Sequence, residues 1–232
     1  MRRTFWSVCA LLTLTLSGLT AAWADVYPCL ALCTGSSVRI RAKSSTNSEV
    51  LGRLDLNEMI CVLDEKEGND GVWYKIEHPD RKKGSGWVFG EYVEPLSRES
   101  QSPEEHLILS IHRDFGYSIR RARALMGKPQ EETQKKSFFE PAGKDLVTIT
   151  LTYPDVTISY IENRLSSVSV RKGKRAFGPY KIGDDSDKLL NELGDPDDES
   201  KGWTYSLTER VELIFEIEDD RIATMTYTTL LD

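Results

Sequence analysis

Short runs in which apolar and polar residues alternate dominate residues 36–96. Val38 and Ile40 alternate with Arg39 and Arg41, and a period of two is typical of a strand with one buried face. Further apolar runs follow at short intervals, separated by polar or glycine-rich stretches, at 50–54, 59–63, 72–77 and 87–89. Closely spaced short strands of this kind predict a small all-β barrel or sandwich.

A different pattern occurs twice in the second half of the chain. Gly116 and Gly127 flank one short amphipathic segment, and Gly183 and Gly194 flank another with the same spacing. In each case a proline follows the second glycine by two residues. The pattern predicts helices over about 118–126 and 185–193, each ending at a left-handed glycine.

Alternating strands follow both predicted helices. Val156, Ile158 and Tyr160 in the first unit correspond to Leu213, Phe215 and Ile217 in the second. Two such units side by side predict one antiparallel sheet with helices on one face. The first unit is longer between Pro129 and Thr150, and we interpret the extra residues as a loop insertion.

The N-terminus has the layout of a secretory signal peptide. Arg2 and Arg3 precede an apolar run from Val8 to Leu19, and Ala22 and Ala24 have the spacing that signal peptidase requires. The run is too short to span a membrane comfortably, since a span needs about 20 residues. We therefore expect cleavage after residue 24 and an exported protein, periplasmic or secreted, with no membrane span after cleavage.

Charge excludes one class of partner. The net charge of the chain is -7, and loss of Arg2 and Arg3 with the signal peptide makes it -9. So acidic a protein does not bind nucleic acid through a general basic field. The basic run at 171–175 is expected to be a solvated turn.

Three cysteines remain after cleavage, at Cys29, Cys33 and Cys61. An oxidising compartment favours one disulfide. Either Cys29 or Cys33 bonds to Cys61, or Cys29 bonds to Cys33, or all three are buried free thiols, and the sequence does not choose among these. A zinc site is not expected, because four ligands are needed and His78 has no partner at suitable spacing.

No set of residues has the spacing of a catalytic or cofactor site. His78, His106 and His112 are few and separated, and no serine lies in a Gly-x-Ser-x-Gly motif. The acidic runs at 184–187 and 195–199 lack the ligand spacing of a calcium loop. We expect no catalytic residue, cofactor or metal, and therefore a protein that is not an enzyme.

The segment from 36 to 96 resembles the bacterial SH3 family. Five matched elements occur in order: Val38-Arg39-Ile40-Arg41, Ser48-Glu49-Val50-Leu51-Gly52, Trp73-Tyr74-Lys75-Ile76, Gly86-Trp87-Val88 and Glu91-Tyr92-Val93. The family usually has Asn in place of Arg39 and Gly-Pro near Lys43 and Ser44, so the first loop is expected to have its own shape. The resemblance implies a module that binds cell-wall peptides, glycans or protein segments.

Trp73, Trp87 and Tyr92 are the candidate ligand-binding residues of this module, since aromatic rings offer flat apolar faces with a polar handle. The alternative is that they fill the core of a small barrel. We favour core packing for Trp87 and leave both roles open for the other two.

Residues 110–230 resemble the superfamily of β-lactamase inhibitory proteins and small outer-membrane assembly lipoproteins. The similarity is carried by Leu193-Gly194-Asp195-Pro196, Trp203-Thr204-Tyr205 and Phe215 before the turn at 219–222. It implies non-catalytic protein binding through the open sheet face. The candidate binding residues there are aromatic: Tyr153, Tyr160, Trp203, Tyr205 and Tyr227. Strand alternation places at least half of them in the core.

The predicted organisation is a signal peptide (1–24), an all-β SH3-like barrel (25–96), a linker (97–105) and an α+β domain of two tandem helix-plus-antiparallel-hairpin repeats (106–178 and 179–232). The predicted function is an envelope adaptor, in which the barrel binds cell-wall peptide or protein and the repeats bind a protein partner. In the alternative function, the repeats inhibit or regulate an envelope enzyme.

Overall fold

The structure is a computed structural model that describes residues 27–68, 70–96, 103–140, 143–208 and 210–229. These residues form two seven-stranded antiparallel sheets, one small hairpin and three α-helices. The predicted signal peptide and residues 97–102 of the predicted linker lie outside the described residues.

The first sheet curls into the predicted barrel. Its strands are β1 (Cys29–Cys33), β2 (Val38–Arg41), β3 (Val50–Leu54), β4 (Met59–Gly68), β5 (Gly71–Glu77), β6 (Ser85–Phe89) and β7 (Val93–Pro95), with a 3₁₀ turn at Gly90–Tyr92. The order is β3-β2-β6-β5-β4-β1-β7. The residues that alternate inward, among them Val38, Ile40 and Ile76, form the barrel core.

The second sheet belongs to the C-terminal domain. The elements are α1 (Pro103–Phe115), α2 (Ile119–Met126), β8 (Glu131–Phe139), β9 (Lys144–Thr152), β10 (Val156–Ile161), β11 (Arg164–Val170), β12 (Ala176–Phe177), β13 (Tyr180–Lys181), α3 (Asp187–Leu193), β14 (Trp203–Thr208), β15 (Val211–Glu218) and β16 (Arg221–Thr229). The strand order is β14-β15-β16-β11-β10-β9-β8, with β12 and β13 paired separately.

One face of this sheet is buried. Val156, Ile158 and Tyr160 alternate inward from β10 and join a core that includes Ile111 and Phe115 of α1. The Tyr160 hydroxyl donates to the carbonyl of Gly116 at 2.8 Å. The opposite face carries hydroxyl side chains, such as the bonded pairs Thr150 with Ser159 and Thr226 with Ser169.

Helices are present at both places predicted from the glycine spacing. Gly127 follows α2 with φ 80° and Gly194 follows α3 with φ 82°, and only glycine adopts such angles without strain. Their carbonyls accept hydrogen bonds from Tyr153 at 3.2 Å and Tyr205 at 3.3 Å. The tandem repeat itself stays a prediction.

Several elements were not anticipated from the sequence, among them the barrel strand β1 and the small hairpin of β12 and β13. The extra residues after Pro129, interpreted as a loop insertion, instead form β8 and its hairpin to β9, so that interpretation was wrong. Helix α1 begins within the predicted linker and packs Ile111 and Phe115 into the core.

The expected disulfide is absent, and the structure has the alternative arrangement of three free, buried thiols at Cys29, Cys33 and Cys61. Cys61 lies opposite Leu30 in the β1–β4 ladder, so its side chain is on the face opposite to Cys29 and Cys33. Cys29 and Cys33 lie four residues apart on one strand, roughly 13 Å, which is too far for a bond. Burial raises the pKa of Cys29 to about 11 and that of Cys61 to about 12.

Candidate functional site

An open groove of about 460 Å³ crosses the outside of the barrel. It lies between the β1–β2 loop, the outer face of β2 and the aromatic side chains of β5, β6 and the 3₁₀ turn. We call it the aromatic groove, and its lining residues are Gly35, Ser36, Ser37, Val38, Arg39, Arg41, Thr46, Trp73, Phe89 and Tyr92. Every described residue that lines it belongs to the barrel.

Three rings form a row along the aromatic groove. Trp73 lies opposite Phe89 in the β5–β6 ladder, with ring centroids 5.3 Å apart, and Phe89 is 6.3 Å from Tyr92. Trp73 is 2% exposed and Tyr92 is 41% exposed, so the row passes from a buried floor to an open rim. Trp73 and Phe89 are on the outer side of the barrel, because their neighbours Tyr74 and Val88 point into its core.

The rim of the aromatic groove is positively charged. Arg39 is exposed on β2, and the structure shows no partner for its guanidinium among the described residues. Arg41 is buried, and its Nη1 donates to the carbonyl of Ser48 at 2.8 Å. Gly35 allows Tyr92 to lie against the loop, because a Cβ on Gly35 would come within 2.9 Å of that ring.

The other candidate residues lie elsewhere. Trp87 is half-buried on the outer side of β6, opposite Lys75 and Arg41, and does not line the groove.

The candidate aromatic residues of the C-terminal domain lie in or against its core. Tyr153 and Tyr205 are 5% exposed, and Trp203 packs half-buried against that core. Tyr160 and Tyr227 are also in that core. The aromatic residues proposed for the open sheet face therefore point to its buried side.

A second surface of the barrel is covered by the C-terminal domain. We call this the docking face, formed by the acidic side chains Glu58, Glu77 and Asp80 with the carbonyls of His78 and Arg81. Glu58 is 0% exposed and Glu77 is 7% exposed. A buried carboxylate needs a cationic partner, and here the partners come from α1 and α2.

Two arginines of α2 reach different parts of the docking face. Arg120 contacts Glu58 at 2.9 Å and Asp80 at 2.5 Å. The hydrogen bond from Arg120 lowers the pKa of Asp80. Burial raises the pKa of Glu58, and the charge of Arg120 offsets this only in part.

Glu77 is held by two arginines. Arg121 contacts its Oε2 at 3.2 Å and Arg113 of α1 contacts its Oε1 at 2.7 Å. Arg121 is 6% exposed and also donates to the carbonyls of His78 and Arg81. The residues joined by these contacts are 36 to 44 positions apart in the sequence, so no local motif signals the contacts.

Apolar residues complete the contact between the domains. Met59 and Cys61 of β4 cluster with Leu109 of α1 and Tyr117, and Leu30, Leu32 and Leu63 pack around them. Leu30 and Cys61 are thus on the outer side of the barrel, where α1 covers them. The barrel and the C-terminal domain share one buried interface.

Two of the histidines are buried. His112 Nε2 and the Tyr227 hydroxyl are 2.8 Å apart, and burial lowers the pKa of His112 to about 4. His78 lies near the Leu51 carbonyl, and burial lowers its pKa as well. The part of the chain that the structure describes contains no group of three or more histidine, cysteine, aspartate or glutamate side chains placed to hold a metal ion.

Comparison with known families assigns the barrel. The family model of the bacterial SH3 domain matches residues 36–94. Residues 36–94 form a bacterial SH3 domain. The match includes the five elements from Val38 to Val93 and ends within β7. It covers about a quarter of the chain. No curated protein and no solved structure is significantly similar to the chain, and the superfamily resemblance of residues 110–230 has no support.

An SH3 domain of this family indicates a protein-binding module associated with the cell wall. Such domains are typical of extracellular or envelope proteins. Among the described residues, no helix combines the length and the apolar character that a membrane span requires.

Proposed function

We propose that this protein is an exported, non-enzymatic binding protein of the cell envelope whose aromatic groove binds a cell-wall peptide. The observation that supports this most directly is the row of Trp73, Phe89 and Tyr92 beside Arg39, an exposed cation with no partner among the described residues. An apolar peptide side chain packs against the rings. A peptide carboxylate pairs with the guanidinium, which suits planar anions.

The buried interface gives the C-terminal domain its place in this proposal. It holds the SH3 domain through Arg113, Arg120 and Arg121, whose acidic partners Glu58, Glu77 and Asp80 do not line the groove. A peptide bound in the groove would leave that interface intact. The protein then acts as an adaptor that presents its C-terminal domain at the wall, where it binds a protein partner.

The alternative, inhibition of an envelope enzyme by the C-terminal domain, has less support. The aromatic anchors expected for such a contact, Tyr153, Trp203 and Tyr205, pack toward the core. Interface anchors need to be exposed before binding. Binding through the aromatic groove is therefore the better supported function.

Co-sedimentation with purified peptidoglycan tests the proposed function. The chain from residue 25 to 232 is expected to pellet with the polymer. Tyr92→Ala and Arg39→Ala are each expected to weaken binding about tenfold or more, which corresponds to about 1.4 kcal/mol. Lys82→Ala is the matched control, since Lys82 is an exposed cation of the barrel outside the groove.

Two results would overturn the proposal. The first is that the wild-type protein stays in solution. The second is that Tyr92→Ala and Arg39→Ala bind as well as Lys82→Ala. In the second case the protein binds the wall through another surface.

A further inference from the structure

The two edges of the C-terminal sheet differ. The segment before β14 covers that edge: Thr204 N donates to the carbonyl of Asp198 and Asp197 N to the carbonyl of Thr204, both at 2.8 Å, and Ser206 N donates to the Asp197 side chain at 2.7 Å. At the other edge, no described residue beyond β8 pairs with that strand.

The outward backbone groups of β8 can be assigned from the neighbouring strands. Glu162 N donates to the Val147 carbonyl, and Tyr153 N to the Val156 carbonyl, so Val147 and Tyr153 direct their backbone groups to β10. Because direction alternates along a strand, Thr148, Thr150 and Thr152 face β8.

The β8 partners of these threonines are Lys135, Thr133 and Glu131. The alternate residues of β8 therefore direct their N–H and C=O groups away from the sheet, namely Glu132, Gln134, Lys136 and Phe138. Such a row of free groups is a template for another strand.

The strand is long and open. All nine residues of β8 except Phe139 are exposed, and Phe138 is 64% exposed. Natural sheets usually protect such an edge by shortening, covering or twisting it, or by placing charges on it. The edge at β8 is protected by charged side chains, so the pattern of these charges determines which strand can pair with it.

The charge pattern is self-complementary. A two-fold axis at Lys135, the middle of β8, would set two lysines opposite each other. With the axis at Gln134, Glu132 lies opposite Lys136 of a second copy, and this pair occurs twice. Glu132 and Lys136 contact Arg123 and Asp145 only through exposed pairs, which hold their side chains weakly.

We propose that a second copy of this chain pairs with β8 in the antiparallel direction, about a two-fold axis at Gln134. The contact joins the two C-terminal sheets into one continuous sheet. Such an isologous contact closes on itself and stops at a dimer. Both aromatic grooves remain open, because β8 belongs to the other domain. The inference does not depend on what the groove binds.

The test is sedimentation velocity of residues 25–232, from micromolar to submillimolar concentration. The wild type is expected to show a concentration-dependent dimer. Gln134→Pro removes only an outward N–H, which an edge strand tolerates, and is expected to weaken the dimer about tenfold or more. Gln134→Ala keeps the N–H and is expected to behave as wild type.

A charge pair provides a second measurement should Gln134→Pro not fold, as judged by circular dichroism. Lys136→Glu is expected to weaken the dimer at low salt, and Lys172→Glu, the same change in an exposed turn, is not. A wild type that is monomeric throughout overturns the proposal. A dimer equally stable in the wild type and Gln134→Pro, or in Lys136→Glu and Lys172→Glu, overturns it also.

Discussion

The docking face and the aromatic groove are two surfaces of one barrel with opposite character. The docking face is acidic and is filled by arginines of the same chain, with Glu58 and Glu77 buried. The groove is aromatic and cationic, and Tyr92 and Arg39 are exposed. A small barrel can therefore use one side for permanent attachment and keep another for a ligand. The comparison also separates stability from binding, because the two surfaces share no residue.

The largest expected effect is on the reactivity of the cysteines, of which Cys61 is the one on the docking side of the barrel. Cys61 lies in the interface cluster and its pKa is about 12, against 9.0 for an ordinary thiol. At pH 8 its thiolate fraction is roughly a thousandfold lower than usual. We expect the native protein to react very slowly with Ellman's reagent, and denaturation without reductant to release three thiols from residues 25–232. A titre of one thiol would show that a disulfide exists.

Removing a docking arginine is expected to cost the most stability. Arg121→Ala leaves Glu77 buried with one cation fewer, and breaking a buried pair costs about 3 kcal/mol or more. Urea unfolding measures the change. The matched control is Arg123→Ala on the same helix, whose pair with Glu132 is about half exposed and contributes less than about 1 kcal/mol. Equal losses in the two variants would contradict a buried docking face.

Acid is expected to weaken the C-terminal domain through His112. Its pKa is lowered from 6.5 to about 4. Between these two pH values, His112 is therefore protonated in the unfolded chain but neutral in the folded protein. The contribution is complete above about pH 6.5 and is lost as the pH falls toward 4, with a slope of up to about 1.4 kcal/mol per pH unit.

His112→Gln keeps a polar group beside Tyr227 and does not titrate. The unfolding free energies of the wild type and this variant, compared between pH 7 and pH 4, are expected to converge on acidification. The pKa of His78 is also lowered, but His78 is present in both proteins and cancels. Parallel curves would show that His112 titrates normally.

The smallest expected stability effect belongs to the groove. Arg39→Ala removes an exposed side chain without a partner among the described residues, so the unfolding free energy is expected to change by less than about 0.5 kcal/mol. Its loss of peptidoglycan binding would then be a direct effect. Destabilisation comparable to that of Arg121→Ala would mean that Arg39 supports the fold.

The sequence predicted those parts of the fold that have a local signature. Alternation and closely spaced apolar runs located the barrel strands from β2 onward but not β1. The glycine and proline positions located α2 and α3. β8 was interpreted as a loop because a strand exposed on both faces shows no alternation of apolar and polar residues. The apolar positions of α1, with Ile111 and Phe115 four residues apart, carried a helical signal that the polar start of the segment concealed.

The candidate site was predicted only in part. Trp73 and Tyr92 were candidates, and both line the groove, whereas Phe89 and Arg39 were not proposed as ligand contacts. The position of Phe89 depends on the register of β5 against β6, and that of Arg39 on the pairing of β2 with β6. The sequence does not encode either pairing locally. The docking face was missed entirely, because charges that lie far apart in the chain meet only when the two domains pack.

The most direct test of the account is to map a ligand on both surfaces at once. Soluble cell-wall stem peptides are titrated into isotope-labelled protein, residues 25–232, and chemical shifts are followed by NMR. We expect shifts at Arg39, Trp73, Phe89 and Tyr92, and none at Glu58, Glu77 or Arg121. Shifts at the docking face, or no shift at the groove at saturating peptide, would contradict the claim that the aromatic groove is the wall-binding surface.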